Sequence, residues 1–212
     1  MKDMPIFDTE FGVASLVLKE VPYRQEAYIL IRSALEPEGL LRECIAFCRM
    51  VGAERIYARG HEIAESYPLH CAVLEMSGCI EPDETLTANL WPVTEENIGK
   101  WRQFMNEKLK TVDNAATLEK RDEKDILEKG GAYFVHDREE LLGAGWLEGE
   151  ELHLLASAKQ GMGARVFHTL LSVTWPERVT LQVASTNERA IRLYEKMGLV
   201  KTGEAARWYR VL

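Results

Sequence analysis

The chain has 212 residues, enough for one large domain or two small ones around a packed core. Its formal net charge of −8 argues against a general nucleic-acid binder and favours neutral or cationic partners. No apolar run approaches the roughly 18 residues of a membrane helix, and the start, MKDMPIFDTEFG, has no apolar segment or cleavage signature, so a cytoplasmic location is expected.

Alternating apolar residues predict two strands, FGVASLVLKEV and EAYILIRSA, joined by a turn around Pro22-Tyr23-Arg24. EPEGLLRECIAFCRMVGA follows as a helix, with Leu40, Leu41, Cys44, Phe47, Cys48 and Val51 on its apolar side and Gly52 as its stop. ERIYARG then reads as a strand, HEIAESYP as an irregular or helical link and HCAVLEM as another strand. The four cysteines, Cys44, Cys48, Cys71 and Cys79, form no C-x-x-C pair. The helical Cys44 and Cys48 read as small core residues, and no metal site is expected.

The polar segment SGCIEPDETLTAN marks a boundary, giving a first part over residues 1–85 and a second over 90–212. The second opens with a helix over LWPVTEENIGKWRQFMNEKLKTV, capped by Thr94, and a charged helix over AATLEKRDEKDILEKGG, ended by Gly130-Gly131. Strands AYFVHD, LLGAGWLEG and EELHLLAS follow, then helix GARVFHTLLSVTW, strand RVTLQVAS, helix NERAIRLYEKMG and strand AARWYRVL. Both parts run hairpin, helix, strand, link, strand, an internal repeat of architecture rather than of sequence. The fold class is α/β, a mixed sheet flanked by helices.

The stretch LLASAKQGMGARVFHTLL places Gly161 and Gly163 between a strand and a helix. Such a turn exposes unpaired N–H groups at the positive end of the helix dipole, where phosphate oxygens bind. It is not a P-loop, because G-x-x-x-x-G-K-[ST] is absent, and Val166 stands where a dinucleotide fingerprint needs a third small residue. Downstream, LQVASTNERAIRLYEKMGLVKTGE supplies Asn187, Ala190, Leu193, Tyr194 and Gly198 at the spacing Asn-x-x-Ala-x-x-Leu-Tyr-x-x-x-Gly after a strand. In this run the chain resembles the GNAT superfamily of acyl-CoA-dependent N-acetyltransferases. Gly161 and Gly163 fill the two glycine positions of that family's acyl-CoA loop, and LLGAGWLEGEELHLLA resembles its central hairpin.

The resemblance, over about residues 90–212, implies a GNAT fold, acetyl-CoA as co-substrate and direct acetyl transfer to a primary amine. It implies a cofactor site of Ala156, Ser157, Lys159, Gln160, Gly161, Met162, Gly163, Ala164, Asn187 and Tyr194, with Lys159 or Gln160 replacing the family's Arg/Gln, whose position Ala158 occupies. Tyr194 is the candidate acid for the departing thiolate, or a core aromatic beside Ala190, Ile191 and Met197. Glu150 and Glu151 are the candidate bases, His153 a weaker one. Asn187 caps its helix and in the family often touches the cofactor; Arg189 and Arg192 either reach phosphates or face only water. The segment from Trp101 to Asp125 is implied to line the acceptor side.

The first part carries Glu36-Pro37-Glu38-Gly39 where a cradle would stand, and two carboxylates there repel a pyrophosphate. It reads as a degenerate half of the same fold that binds no coenzyme A, or as an unrelated small mixed domain. For the whole chain, the alternative to an acetyltransferase is a GNAT-fold binding or interaction protein that has lost catalysis.

Overall fold

In the computed structural model, which describes residues 4–212, the chain divides into two compact units. One holds the chain up to Ala72 together with Ala206–Leu212; the other runs from Val73 to Ala205.

In the first unit β1 (Ile6–Thr9), β2 (Gly12–Val17) and β3 (Glu26–Ala34) form an antiparallel meander. Helix α2 (Pro37–Met50) crosses to β4 (Arg55–Arg59), which runs parallel to β3. The residues expected as a turn form the short helix α1 (Val21–Arg24), and the link after β4 holds α3 (Glu62–Glu65). Tyr209 and Arg210, at the end of β11 (Val200–Arg210), pair antiparallel with β4. Strand alternation sends Ala14, Leu16, Ile29, Ile31, Ile56 and Ala58 to one face, where Leu40, Leu41, Cys44 and Cys48 of α2 cover them. Both cysteines are core residues as the spacing implied, and burial pushes the Cys44 thiol up to about 12.

The second unit has the strand order β11-β5-β10-β9-β8-β7-β6. Strands β6 (Asn89–Pro92), β7 (Ala132–Asp137), β8 (Glu140–Glu148) and β9 (Glu151–Ser157) pair antiparallel in turn. β10 (Val179–Ala184) runs parallel to β9 and antiparallel to β5 (Leu69–Gly78). Helices α4 (Ile98–Leu109) and α5 (Asp122–Lys129) cover one face through Ile98, Trp101, Met105 and Ile126. Helices α6 (Gly163–Leu171) and α7 (Glu188–Lys196) cover the other through Val166, Phe167, Leu170, Leu171 and Tyr194. The expected α/β class, a mixed sheet flanked by helices, is what forms.

Apart from the short α1 between β2 and β3, the element orders match as β2-β3-α2-β4-α3-β5 and β8-β9-α6-β10-α7-β11. The closing strands are exchanged: β5 pairs with β10, and the end of β11 pairs with β4. The division between units therefore falls inside β5, not in the polar segment at 85–90. β5 continues through Ser77 and Gly78 because Gly78 lies against the backbone of Gly198, where a Cβ would come within 2.6 Å of the carbonyl oxygen.

Two helix starts differ from the sequence reading. LWP joins the edge strand β6, a position that tolerates Pro92. α4 begins at Ile98 with Asn97, not Thr94, at the N-cap; the Asn97 side chain instead accepts from the Thr94 N–H at 2.9 Å. The second helix is short because Leu118 is drawn off, its N–H and C=O both bonded to the Asn106 amide.

His168 of α6 is 5 % exposed, its Nδ1 has no partner, and burial lowers its pKa despite the nearby Asp83 carboxylate. A depressed histidine contributes stability above the unfolded-state value of about 6.5 and loses it as pH falls toward the folded-state value. Urea midpoints are therefore expected to fall below about pH 6.5, and His168→Gln to flatten that dependence. An unchanged slope in the variant would contradict this.

Candidate active site

The parallel ladder between β9 and β10 has two residue pairs, Thr180↔Glu151 and Leu181↔Leu152. Immediately beyond, the β8–β9 register shifts: Leu147 faces Leu152 and Trp146 faces Leu154, so His153 is the extra residue of a β-bulge. A bulge bends its strand and interrupts pairing. From there β9 and β10 separate, and Leu154–Ser157 and Gln182–Ala184 become opposing walls of a cavity of about 920 Å³. That volume lies within the ~300–1,000 Å³ of small-molecule sites.

One end of the cavity is the glycine turn. Gly161 has φ +88°, a left-handed conformation, and open space where a Cβ would project. Gly163 opens α6 against Leu193, whose Cδ2 would lie 2.9 Å from an added Cβ. Among the described residues, no backbone acceptor meets the N–H groups of Gly161, Gly163 or Ala164, and no side chain caps α6. Unpaired donors at the positive end of a helix dipole are the arrangement to which anions bind in general.

The cavity brings together Ala156, Ser157, Lys159, Gln160, Gly161, Gly163, Ala164, Asn187 and Tyr194 of the sequence-derived set, with Arg189. Met162 is not in its wall; it occupies the N-cap position and packs into the core under α6. Lys159 is ion-paired with Glu140, which diminishes it as a phosphate anchor. Lys108, which sequence reasoning did not single out, lines the cavity and donates to the Ala158 carbonyl at 3.1 Å. Its position next to the last residue of α4 gave no motif to find it by. The rim around Asp113 is joined to Thr186, before α7, by a 2.7 Å hydrogen bond.

Asn187 caps α7, its Oδ1 accepting from the Ala190 N–H at 3.2 Å. Tyr194 is 7 % exposed and packs on Phe167, ring centroids 5.9 Å apart, so the core-aromatic and cavity-wall readings both hold. Burial pushes its phenol up to about 12.

Glu150 and Glu151 are not in the cavity wall. They stand at the start of β9, and six residues at ~3.3 Å each separate Glu151 from Ser157, roughly 20 Å of strand. The Glu150 carbonyl accepts the Thr180 N–H at 2.8 Å. The cavity-lining residue at that end is His153. Its Nε2 lies 3.0 Å from Glu148 Oε2, its Nδ1 3.5 Å from Glu151 Oε1, and its ring lies 4.4 Å from that of Trp146.

The whole fold resembles those of solved structures. The chain is similar to the GCN5-related N-acetyltransferase of Anabaena variabilis, 10 % identical with a TM-score of 0.59, over 98 % of this chain and 58 % of that one. The fold is that of the GCN5-related N-acetyltransferases. A second such protein, from Kribbella flavida, is 12 % identical with a TM-score of 0.55, over 87 % of this chain and 52 % of that one. This chain thus spans little more than half the length of either. A conserved Staphylococcus epidermidis protein of unknown function is 8 % identical with a TM-score of 0.56, over 98 % of this chain and 93 % of that one. No protein-family model and no curated protein matches the sequence. Among the described residues no helix is long and apolar enough to cross a membrane, and no group of three His, Cys, Asp or Glu side chains is placed to hold a metal ion.

Gly161→Glu puts a carboxylate into the anion site, and calorimetry should show acetyl-CoA bound by the parent and not by the variant. At about 100 times its dissociation constant, bound ligand adds roughly 2.7 kcal/mol of stability, which thermal unfolding of the variant should lack. Binding that survives the substitution would place the ligand elsewhere.

Proposed function

We propose that the protein is an acyl-CoA-dependent N-acetyltransferase that moves an acetyl group from acetyl-CoA to a primary amine by direct attack. The observation that carries this reading is the slot between β9 and β10, which ends at the unpartnered N–H groups of the glycine turn. A pyrophosphate fits the turn, and a pantetheine arm fits along the freed strand edges as an added strand would. Gly161, Gly163 and Ala164 hold the phosphates, with Lys108 and Arg189 adding positive charge; Asn187 lies alongside.

At the far end, His153 serves as the base. Glu148, 3.0 Å from Nε2, fixes the tautomer with the proton on that nitrogen and leaves Nδ1 to accept from the amine. The amine nitrogen attacks the thioester carbonyl, the C–N bond forms, the C–S bond breaks, and the amine proton passes to Nδ1. Glu151, at 3.5 Å, stabilises the resulting imidazolium. Glu151 then acts through the ring rather than as the base itself, and Glu150 has no part.

Tyr194 supplies a hydrogen bond rather than its proton. Burial raises the phenol to about 12, which favours its neutral, hydrogen-bond-donating form. The phenol instead stays protonated and stabilises the leaving thiolate electrostatically.

With a reactive amine, His153→Gln is expected to lower kcat by about 10²–10⁴-fold and Tyr194→Phe by about 10²-fold, both with KM for acetyl-CoA nearly unchanged. Glu151→Gln should fall short of His153→Gln. Full activity in His153→Gln would remove the base assignment. Tight acetyl-CoA binding with no transfer to any amine would favour a binding protein on this fold.

A further inference from the structure

We propose that the helix-free face of the first unit carries a second site, for a small-molecule oxyanion, formed by Arg59 and Arg32 against Trp208. The inference does not rest on the acetyltransferase reading.

All three helices of the first unit contribute to the apolar cluster on one face, through Val21, Leu40, Leu41, Cys44, Ile63 and Ala64. Alternation puts Arg59, Arg32 and Trp208 on the other. Arg59 ends the β3–β4 ladder, opposite Leu30. Arg32 is the extra residue of the β2–β3 bulge, since Ile31 faces Ala14 and Ser33 faces Val13. It thus follows the end of a parallel ladder as His153 does in the second unit. Here the ladder runs for five pairs, and Gly60 closes onto the Ile31 carbonyl, 2.4 Å from where its Cβ would lie. No slot opens, and the two arginines occupy the corresponding position on the sheet surface.

The Arg59 guanidinium sits 4.8 Å above the Trp208 ring, and its Nε is buried with no hydrogen-bond partner. Arg32 donates from Nε to Ser15 Oγ at 3.0 Å. Among the described residues neither arginine is ion-paired. Of the carboxylates on this face, Glu26 is committed at the other end of β3 to Arg55 at 3.2 Å and to the Tyr28 hydroxyl at 3.0 Å, and the exposed Asp8, opposite Val13 on β1, is ion-paired with neither arginine. Burial and the Arg32 charge together hold the Arg59 guanidinium below its ordinary range.

Two cations brought together, one partly desolvated and with an orphaned donor, are costly without an anion to share. Guanidinium forks match carboxylate and phosphate oxygens in the plane of the group, while Trp208 meets the Arg59 guanidinium with its ring. The chain's net charge of −8 disfavours a polyanion, so the ligand is a small molecule bearing a carboxylate or phosphate.

The test is arginine Nε–Hε and tryptophan indole spectra of the full chain in the Gly161→Glu background, where the glycine turn cannot report. Inorganic phosphate and sodium benzoate are titrated separately, with Arg59→Lys and Arg32→Lys used for assignment. The expected result is saturable movement of the Arg59, Arg32 and Trp208 signals together, weakened at least about tenfold by Arg32→Gln. Saturation by phosphate alone identifies a phosphate ligand, and by benzoate alone a carboxylate. Should Arg32→Gln fail to fold, Arg32→Lys, which keeps the charge and loses the fork, takes its place. Signals that stay still, or drift without saturating, would reduce the pair to a structural stack and overturn the site.

Discussion

The second unit depends on a broken ladder. Parallel strands joined by a helical crossover normally pair along their shared length, and a fully paired β9–β10 edge would leave no room for a ligand. The bulge at His153 stops the ladder after two residue pairs. Beyond it, alternate residues of each strand turn their N–H and C=O groups toward the cavity, the others being paired with β8 or β5. To such an edge an extended amide-bearing chain can add as a strand does.

The same distortion sets the chemistry. Because a bulge places two consecutive residues on one side of the sheet, His153 joins Leu154 on the α4–α5 face, beside Trp146. Glu148 and Glu151 flank it there on the ends of the adjoining strands. Tyr194 arrives from the opposite face on α7, in a site dry enough to keep its phenol protonated. His153 and Tyr194 thus approach the slot from opposite sides of one sheet, the placement that their proposed roles as base and hydrogen-bond donor require.

Much of this was legible in the residues. Period-two and helical patterning placed β3, α2, β7, α6 and α7 nearly where they form, because each element's apolar face is its own and needs no distant partner to define it. The Asn187–Gly198 run and the two glycines pointed to residues that line the cavity. The sequence hid what depends on pairing between distant strands. The bulge at His153 is a matter of register against β8, so the glutamates at the strand start looked better placed than the histidine. Lys108 reaches the slot from a helix some fifty residues earlier in the chain. The exchange of β5 and β11 moved the unit boundary into a strand, where no change of composition marks it.

The measurement that tests the account most directly is the backbone amide spectrum during titration with acetyl-CoA, with hydrogen exchange of the bound state. A ligand lying as an added strand should shift and protect amides within residues 153–157 and 182–184, along with those of Gly161, Gly163 and Ala164. Perturbation confined to the glycine turn, or absent from both strand edges, would contradict the claim that the interrupted ladder is the binding slot.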